Sequence, residues 1–558
     1  MNMKFKKALV LGMATMLFAS STGCSGGPKE DTNKAAGEVS QGTKDQEADK
    51  QEVSADEPGW KKHSGEKIDL DWYINFSWFT TPWGEDMTSK KITEDTGVNV
   101  NFIVPAGNEA EKLNTMIASD TLPDILTLGW WEGQVNEMID SEMVYALNEL
   151  ADQYDPYFFK VADNARIGWY TQPDGNIYGY PNSSYTPSDY EKYDNIASNQ
   201  TFLVRKDMYE VIGSPDMSTP EGFLNALKKA KEMFPEVNGQ PLIPIGFHEF
   251  GELGNFSFEE YLQNFLAVPY EKDGKYYDRY TDPDYINWLK TFSKAGQEGL
   301  LANDVFIDKR AQMEEKIAQG RYFAMMYQRT DMANQQKILF ENDPNSIYMA
   351  VEGPKNANGD DHTLPGVGIA GWTVTMISKN CKDPERAIQL MTYLMSEEGQ
   401  KLTYLGIEGQ TYDIVDGKPV VKQEVKDLLK SDRAAYDRKY GADNTFWMFQ
   451  DLAMQAQWSE GPQEPLKQLE EWTYPYTEFI SQYEGLNPAV GTEEEVINLK
   501  ARRLFGETLP KLLLAGSDSE FDQIYNKFLE DRNALGYDKV VAVKQTMMDD
   551  NKAKLGLK

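Results

Sequence analysis

The first predicted strand is an alternation of apolar and polar residues from Ile68 to Ile74. A helical pattern follows and stops at Gly97, and residues 98–104 again have the composition of a strand. Apolar residues at helical spacing over 108–119 then lead into a third strand, which opens at 122–126. Because strands and helices alternate, the pattern predicts a parallel sheet covered by helices.

The same alternation continues along the chain. Further strands are predicted at 201–204, 241–247, 322–327, 347–351 and 372–377, and further helices at 219–234 and 383–393. From Val425 onward the pattern is mostly helical. A chain of 558 residues has room for more than one domain, so we predict an α/β fold with two lobes and a helical C-terminal part.

Residues 1–23 have the three parts of a secretory signal. Three lysines precede an apolar run at 8–19, which is shorter than the roughly 20 residues of a membrane span. The segment from Ser21 to Cys24 resembles the bacterial lipobox, in which the cysteine becomes the lipidated first residue. We therefore expect an exported protein that a lipid on Cys24 anchors at the extracellular face of the cell membrane. A plain signal peptide with an incidental cysteine is the alternative.

Residues 24–59 are predicted to form an acidic tether. No aromatic residue, leucine or isoleucine occurs between Ser25 and Pro58, so this stretch cannot build a core. The folded body is expected to begin near Trp60. The whole chain has 89 acidic against 56 basic residues and a formal charge of -33, which argues against a nucleic-acid partner.

The usual motifs of catalysis are missing or stand in the wrong context. The glycine pattern at 366–371 precedes a predicted strand, whereas a dinucleotide-binding loop follows a strand and opens a helix. No Gly-Lys-Ser/Thr phosphate loop occurs in the sequence, and no Gly-x-Ser-x-Gly elbow occurs in the folded body expected from Trp60 onward; the match at 23–27 lies across the predicted lipidation site. The three histidines, His63, His248 and His362, are far apart. We predict neither a metal site nor a cofactor.

A glycoside hydrolase or polysaccharide lyase is the competing class of function. Such an enzyme needs two carboxylates beside aromatic platforms, and both residue types are plentiful in this chain. With 89 acidic residues, no catalytic pair can be singled out. The sequence therefore favours binding without catalysis, with catalysis kept as the alternative.

Seven short segments carry a family resemblance. They are Thr96 to Val98, Ala118 to Ile125, Asp174 to Pro181, Gly320 to Met325, Asn380 to Ala387, Ser396 to Gln400 and Gly406 to Gly409. In their order, and together with the lipoprotein leader, they resemble the bacterial extracellular solute-binding proteins of family 1. The resemblance is particularly to the large lipoprotein branch that serves carbohydrate ABC importers. The resemblance runs from about Ile68 to the C-terminus.

This resemblance implies two α/β lobes that close over a ligand in a hinged cleft. Lobe one is then expected at 60–194 and 353–410, and lobe two at 195–352 and 411–558. The implied ligand is a saccharide, most simply an oligosaccharide, which a monomeric binding protein hands to the membrane permease of the importer. A binder of peptides or other organic solutes is the alternative within the same fold.

The expected ligand contacts are aromatic and polar side chains near strand ends. Flat rings cover the C–H faces of a sugar, and polar side chains form hydrogen bonds with its hydroxyls. Ligands of open α/β sheets bind outside the carboxyl ends of the strands. The predicted contacts are Trp78, Trp83, Asp124, Trp130, Trp131, Tyr178, Tyr180, Arg205 and Trp372.

Each of these residues also has a structural interpretation. Adjacent residues rarely face the same way, so one of Trp130 and Trp131 is expected in the core. The remaining alternatives are a strand-end cap for Asp124, ordinary packing for Tyr178, Tyr180 and Trp372, and an ion pair with Asp207 for Arg205. Trp78 and Trp83 lie in a Pro-containing loop, and loop placement favours a binding role for both.

Overall fold

The computed structural model describes residues 55–557. The predicted signal, Cys24 and most of the predicted tether therefore lie outside the described residues. Between residues 55 and 557, no helix combines the length and the apolar character that crossing a membrane requires.

The strands form two main sheets and several two-stranded ribbons. Their bounds are β1 (Ile68–Ile74), β2 (Val98–Ile103), β3 (Ile125–Gly129), β4 (Tyr180–Pro181), β5 (Gln200–Arg205), β6 (Glu236–Val237), β7 (Gln240–Pro241), β8 (Ile243–Gly246), β9 (Glu271–Lys272), β10 (Lys275–Tyr276), β11 (Tyr322–Gln328), β12 (Tyr348–Ala350), β13 (Leu364–Pro365), β14 (Thr373–Ile377), β15 (Tyr412–Val415), β16 (Lys418–Val421) and β17 (Thr477–Glu478).

The helices surround these sheets and make up most of the C-terminal part. Their bounds are α1 (Met87–Thr96), α2 (Glu109–Ala118), α3 (Gly133–Asp140), α4 (Leu147–Tyr154), α5 (Phe158–Val161), α6 (Asn164–Tyr170), α7 (Pro187–Lys192), α8 (Lys206–Val211), α9 (Pro220–Met233), α10 (Leu262–Phe265), α11 (Pro283–Gln297), α12 (Arg310–Ala318), α13 (Ala333–Asn342), α14 (Pro384–Met395), α15 (Glu397–Leu405), α16 (Gln423–Ser431), α17 (Arg433–Lys439), α18 (Leu452–Ala456), α19 (Lys467–Glu471), α20 (Glu493–Leu513), α21 (Asp518–Ala534) and α22 (Tyr537–Lys554).

The first sheet has the strand order β2-β1-β3-β14-β4. Strands β1, β2 and β3 are parallel, as the alternation of strands and helices predicts. Strand β14, predicted at 372–377 without a direction, runs antiparallel to both of its neighbours, so the sheet is mixed. The reason is that β14 enters the sheet from a segment that crosses from the second sheet, and not from a strand-helix-strand unit.

Strand β1 shows how the sequence pattern builds this part of the molecule. Its alternate residues Leu70, Trp72 and Ile74 lie in one apolar core, and Tyr73 lies in a second core on the other face. Trp72 is fully buried, and its Nε1 donates to Thr127 Oγ1 at 2.9 Å. Burying a large apolar side chain stabilises the fold by about 1.5 to 3 kcal/mol. The alternation therefore fixes which face of β1 meets which core.

The second sheet has the order β12-β5-β11-β8. Strand β11 is antiparallel to β5 and parallel to β8. Its core contains Phe223, Trp288 and Phe292 from α9 and α11, and it extends to Leu509 and Phe521 of the C-terminal helices. The last helices of the predicted helical C-terminal part, α20 and α21, thus pack with the second sheet.

Three stretches of chain run between the two cores. Residues 182–199 lead from β4 to β5, and residues 351–372 lead from β12 to β14. Residues 450–476 lead from the first core back to β17, which pairs with β13 of the second stretch. We call these stretches the crossing segments.

The predicted lobe boundaries stay a prediction, but one group of contacts bears on where the last boundary falls. Residues 446–449 lie in the core of the first sheet. The sequence analysis had assigned residues 411–558 to lobe two. Residues 446–449, which the predicted boundary places in lobe two, pack in the core of the first sheet, and the boundary itself stays a prediction.

Candidate functional site

Several loops meet at one edge of the first sheet. Strands β1 and β3 end there at Ile74 and Gly129, and β14 begins there because Thr373 pairs with Gly129. The loops that follow β1 and β3 therefore lie beside Trp372, which directly precedes β14. This is the carboxyl edge of the parallel strands, where ligands of open α/β sheets bind.

A group of rings, which we call the aromatic ledge, occupies this edge. It consists of Phe76, Trp78, Trp372 and Trp447. The rings of Trp78 and Trp372 are stacked, with centroids 6.0 Å apart and planes inclined by 12°. Trp447 lies 4.5 Å from Trp372. Trp78 is 56% exposed, although isolated tryptophans are normally well buried.

Trp447 was missed by the sequence analysis. It is 8% exposed and contacts Trp78, Trp372 and Phe76, and its indole Nε1 has no hydrogen-bond partner among the described residues. A buried indole N–H usually has a partner. The run Phe446-Trp447-Met448-Phe449 was the available signal, since four consecutive apolar residues interrupt an otherwise mixed stretch.

Hydrogen bonds hold the loop that carries Trp78. Asn75, at the start of the loop, is buried; it accepts from the Tyr73 hydroxyl at 2.8 Å and donates Nδ2 to Glu132 Oε2 at 2.6 Å. The other oxygen of Glu132 accepts from the Gly129 amide at 2.7 Å. Burial raises the pKa of Glu132. The two loops are thus joined by a carboxylate that is fully engaged within the protein.

Trp130 and Trp131 differ in burial, as expected for adjacent residues. Trp130 is half-buried and packs against the core that contains Tyr73, and its ring is nearly perpendicular to that of Trp131 at 6.2 Å. Trp131 is 55% exposed. A Cβ atom at Gly485 would lie 3.1 Å from the Trp130 ring, so this loop also contacts the segment that precedes α20.

The glycine-rich segment 366–371 borders the ledge as part of a crossing segment. A Cβ atom at Gly366 would overlap the Tyr190 hydroxyl, and one at Gly368 would overlap Ser481 and Glu484. Gly371 has a φ of +71°, which favours glycine. The glycines therefore serve close packing between crossing segments, which explains why they resemble a nucleotide loop only in letter pattern.

A buried carboxylate lies beside this glycine segment. Burial raises the pKa of Glu484 to about 7, and its Oε2 has no partner among the described residues. The nearby Tyr170 hydroxyl donates to the Ala370 carbonyl at 2.6 Å, and the Tyr190 hydroxyl donates to the Val367 carbonyl at 3.1 Å. Neither phenol is therefore free to donate to Glu484.

Asp124 lies at the opposite end of the first sheet. It directly precedes β3, and its carboxylate accepts from the amides of Asp71 at 2.7 Å and Lys382 at 2.8 Å. The Lys382 Nζ atom is 3.3 Å away. Asp124 is 5% exposed. Its contacts fit the strand-end cap that the sequence analysis weighed as the alternative.

Trp83 and Tyr180 have partners inside the first core. Trp83 is half-buried, donates Nε1 to Thr93 Oγ1 at 2.9 Å and packs against Phe446. Tyr180 is 5% exposed, and its hydroxyl accepts from the Asp163 amide at 2.9 Å. Both side chains are thus held away from the ledge by contacts that stabilise the fold.

Tyr178 and Arg205 also have local partners. The Tyr178 hydroxyl donates to Asp174 Oδ2 at 2.7 Å on an exposed turn. Arg205 is 5% exposed and donates to both oxygens of Asp207, at 3.0 and 2.7 Å, and to the Gly320 carbonyl. Of the predicted contacts, the structure thus brings together Trp78 and Trp372, with the Trp130 and Trp131 loop at the same edge.

In the described part of the chain, no cluster of three or more His, Cys, Asp or Glu side chains has an arrangement that could hold a metal ion. His362 instead takes part in a hydrogen-bond network of the crossing segments. Its Nδ1 lies 2.6 Å from the Phe265 carbonyl and its Nε2 lies 3.0 Å from Glu352 Oε2.

The fold and this edge define the class of protein. The model of a family described as bacterial extracellular solute-binding protein matches residues 88–423, which is more than half of the chain. The chain belongs to this family, and the resemblance stated from the sequence is confirmed.

Two individual relatives have low sequence identity to this chain. Lipoprotein LipO of Bacillus subtilis strain 168 is 23% identical over 354 residues, which cover 60% of this chain and 66% of LipO. The fructooligosaccharide ABC transporter substrate-binding protein FusA of Streptococcus pneumoniae is 24% identical over 234 residues, which cover 40% of this chain and 42% of FusA. The alignments thus span about two thirds and two fifths of these relatives.

Solved structures establish the fold over a longer stretch. FusA in complex with kestose matches with a TM-score of 0.66 at 16% identity, covering 87% of this chain and 100% of that structure. The alginate-binding protein AlgQ2 matches with a TM-score of 0.62 at 20% identity, covering 87% of this chain and 98% of that structure. The predicted two-lobe, periplasmic-binding-protein-like α/β fold is therefore confirmed.

Proposed function

We propose that this protein captures a saccharide, most simply an oligosaccharide, and delivers it to the membrane permease of an ABC importer. The observation that carries the proposal is the stacked pair of the exposed Trp78 and the partly buried Trp372 at the carboxyl edge of the first sheet. A flat indole face covers the C–H face of a sugar ring at low conformational cost. Closure of the second lobe would then exclude water from the bound sugar.

The relatives support this class of ligand. FusA is described as a fructooligosaccharide-binding protein of an ABC transporter, and AlgQ2 as an alginate-binding protein. Both share the fold of this chain, and neither is similar enough to specify the sugar. The ledge itself is therefore the feature that has to be tested.

The proposed site contains fewer of the predicted residues than the sequence suggested, and it adds Trp447. It includes Trp78, Trp372 and Trp447, with Trp130 and Trp131 on the neighbouring loop. We leave out Trp83, Asp124, Tyr178, Tyr180 and Arg205, because their polar atoms already have partners within the protein. A side chain whose hydrogen-bonding capacity is used internally gains little from a ligand.

The proposal includes a place for the protein outside the cell. A lipid on Cys24 would hold a monomeric protein at the extracellular face of the cell membrane, beside the permease. A C24A variant should move from the membrane fraction to the soluble fraction of the culture, while saccharide binding is unchanged. Retention of C24A in the membrane fraction would contradict the anchor and leave the binding proposal intact.

A thermal-shift screen of the purified protein tests the binding function. The ligands are neutral and acidic oligosaccharides, monosaccharides and peptides, and each ligand that shifts the melting temperature is then checked for chemical change. A micromolar ligand at millimolar concentration should stabilise the protein by about 4 kcal/mol. An intact saccharide supports the proposal. A cleaved saccharide would replace it with a hydrolase or lyase, and stabilisation by peptides alone would replace the ligand class.

A matched pair of variants links the result to the ledge. W78A removes an exposed ring of the ledge, and F159A removes a 38% exposed ring on α5. Loss of the saccharide shift in W78A but not in F159A is the expected result. Equal shifts in both variants would place the saccharide elsewhere.

A further inference from the structure

Glu484 lies where a crossing segment meets the loops of the ledge. Its carboxylate packs so closely against Gly368 that a Cβ atom there would overlap both of its oxygens. The next residue, Gly485, faces the ring of Trp130. Trp372, the stacked partner of Trp78, follows Gly368 by four residues. The contact of Glu484 with Gly368 and the contact of Gly485 with Trp130 thus position Glu484 beside the proposed saccharide site.

The hydrogen bonds around Glu484 leave one acceptor without a donor. Its Oε2 atom is buried and unpartnered, although a carboxylate oxygen in such a place normally accepts a hydrogen bond. The hydroxyls of Tyr170 and Tyr190 donate to backbone carbonyls. Ser481 Oγ accepts from the Ile369 amide at 2.9 Å, which leaves its hydroxyl hydrogen as the nearby donor for the other oxygen.

No cation of the described residues balances this carboxylate through an ion pair. Another acid, Glu260, raises the pKa of Glu484 further through its charge. Desolvation also raises the pKa of Glu260, against the opposing effect of Arg279 and Arg502. Above pH 7, where Glu484 is mostly ionised, this end of the site therefore offers hydrogen-bond acceptors and negative charge.

An anionic ligand would meet like charge here. Like charges brought together in a partly desolvated site repel and weaken binding, whereas a ligand hydroxyl or ammonium would supply the missing donor. If a ligand offers no donor to a buried acceptor, that acceptor stays unpaired in the complex. A site of this kind discriminates strongly against such a ligand.

We propose, building on the proposed saccharide-binding function, that Glu484 is a specificity-determining residue that favours saccharides with hydroxyl or ammonium donors and disfavours uronic acid saccharides. The carboxylate accepts a hydrogen bond from the ligand through Oε2. The ledge binds the sugar faces, and Glu484 selects the charge of the sugar.

The test compares three trisaccharides by isothermal titration at pH 8, above the pKa of Glu484: a galacturonate trimer, its methyl ester and a glucosamine trimer. The ester keeps the hydroxyls of the galacturonate trimer and removes its charge. The wild-type protein should bind the ester or the glucosamine trimer at least about tenfold more tightly than the galacturonate trimer. E484Q should reduce this preference to about twofold or less, because the amide carries no charge and offers a donor.

E424Q is the matched control, since Glu424 is an exposed carboxylate on α16 and has the same change in charge. It should leave the preference unchanged. Wild-type binding of the galacturonate trimer as tight as that of its ester, or an unchanged preference in E484Q, would overturn the assignment of Glu484. Failure of all neutral, amino and acidic saccharides to bind would instead overturn the proposed function, and this inference with it.

Discussion

The two ends of the first sheet carry different kinds of polar and aromatic groups. At the amino end, the Asp124 carboxylate accepts from two backbone amides and lies 3.3 Å from the Lys382 ammonium. At the carboxyl end, Trp78 is 56% exposed, and Trp447 Nε1 has no partner among the described residues. At the amino end, the polar groups named have hydrogen-bond partners within the protein. At the carboxyl end, an exposed ring and an unpartnered indole N–H are available to a ligand.

This contrast separates residues that hold the fold from residues that are available to a ligand. A buried polar group with all its partners contributes to stability, and removing it leaves those partners unpaired. An exposed ring or an unpartnered polar atom adds little to the stability of the folded protein. Contact with a ligand covers the ring and supplies the missing hydrogen-bond partner, so these groups contribute mainly to binding. Mutations at the two ends should therefore affect stability and binding in opposite proportions.

The largest effect is expected for D124A. The change leaves two amide donors at the amino end without their acceptor, which should lower the free energy of unfolding by about 3 kcal/mol. Urea denaturation measures this loss, and saccharide affinity should stay within about twofold of wild type. D124N, which keeps one oxygen acceptor, should lose less stability. A D124A protein with normal stability but weak binding would break the comparison.

The next effect is expected for W78A, at the carboxyl end. Removing the exposed half of the stacked pair should weaken saccharide binding roughly 10- to 100-fold, as for a central tryptophan of an interface. The free energy of unfolding should fall by no more than about 1 kcal/mol, because the ring is more than half exposed. Isothermal titration and urea denaturation measure the two quantities. A large loss of stability with unchanged affinity would place Trp78 with the structural residues.

A smaller effect is expected at Glu352, which lies in a crossing segment. Like Asp124, it has hydrogen-bond partners within the protein and should therefore contribute to stability. The hydrogen bond from His362 lowers the pKa of Glu352 to about 2, with a further hydrogen bond from the Tyr476 hydroxyl. Its contribution to stability is present above the ordinary pKa of about 4.5 and is lost as the pH falls toward 2.

The side chain of Glu352 is 41% exposed, so solvent screening limits this contribution to about 1 to 2 kcal/mol. The difference in unfolding free energy between wild type and E352Q should therefore be largest near pH 7 and shrink by pH 2 to 3. Urea denaturation at the two pH values measures it, with E424Q as the control. A difference that grows on acidification would have the wrong sign for this account.

The smallest effect is expected for W83F, which tests a predicted ligand contact that packs in the core. Loss of the hydrogen bond to Thr93 should cost about 1 kcal/mol of stability, because the partner is left half-buried. Saccharide affinity should not change. Weaker binding by W83F without loss of stability would return Trp83 to the binding site.

The positions of the strands could be predicted from the sequence better than the contacts of the side chains at the sheet edge. Alternation and helical spacing located β1, β2 and β14 to within about a residue, because the apolar residues of these elements face continuous cores. Trp78 and Trp372 could be proposed because they flank predicted strands. The direction of β14 could not be predicted, since it depends on a crossing segment that connects two sheets far apart in sequence.

Partners distant in sequence explain the remaining differences. Asp124 is engaged by Lys382, 258 residues away, and Trp447 reaches the ledge from a stretch that the pattern did not connect with the first sheet. Residue type and spacing cannot distinguish a satisfied carboxylate from an available one. For this reason Asp124 looked like a ligand contact, whereas Glu484 did not stand out.

The most direct test of the central claim is a crystal structure of the protein with the saccharide that stabilises it most. The account predicts a sugar ring whose C–H face lies about 4 Å from the ring of Trp78 or Trp372, at van der Waals contact. It also predicts a ligand donor within hydrogen-bond distance of Glu484 Oε2. A saccharide bound elsewhere, with the aromatic ledge untouched, would contradict the account.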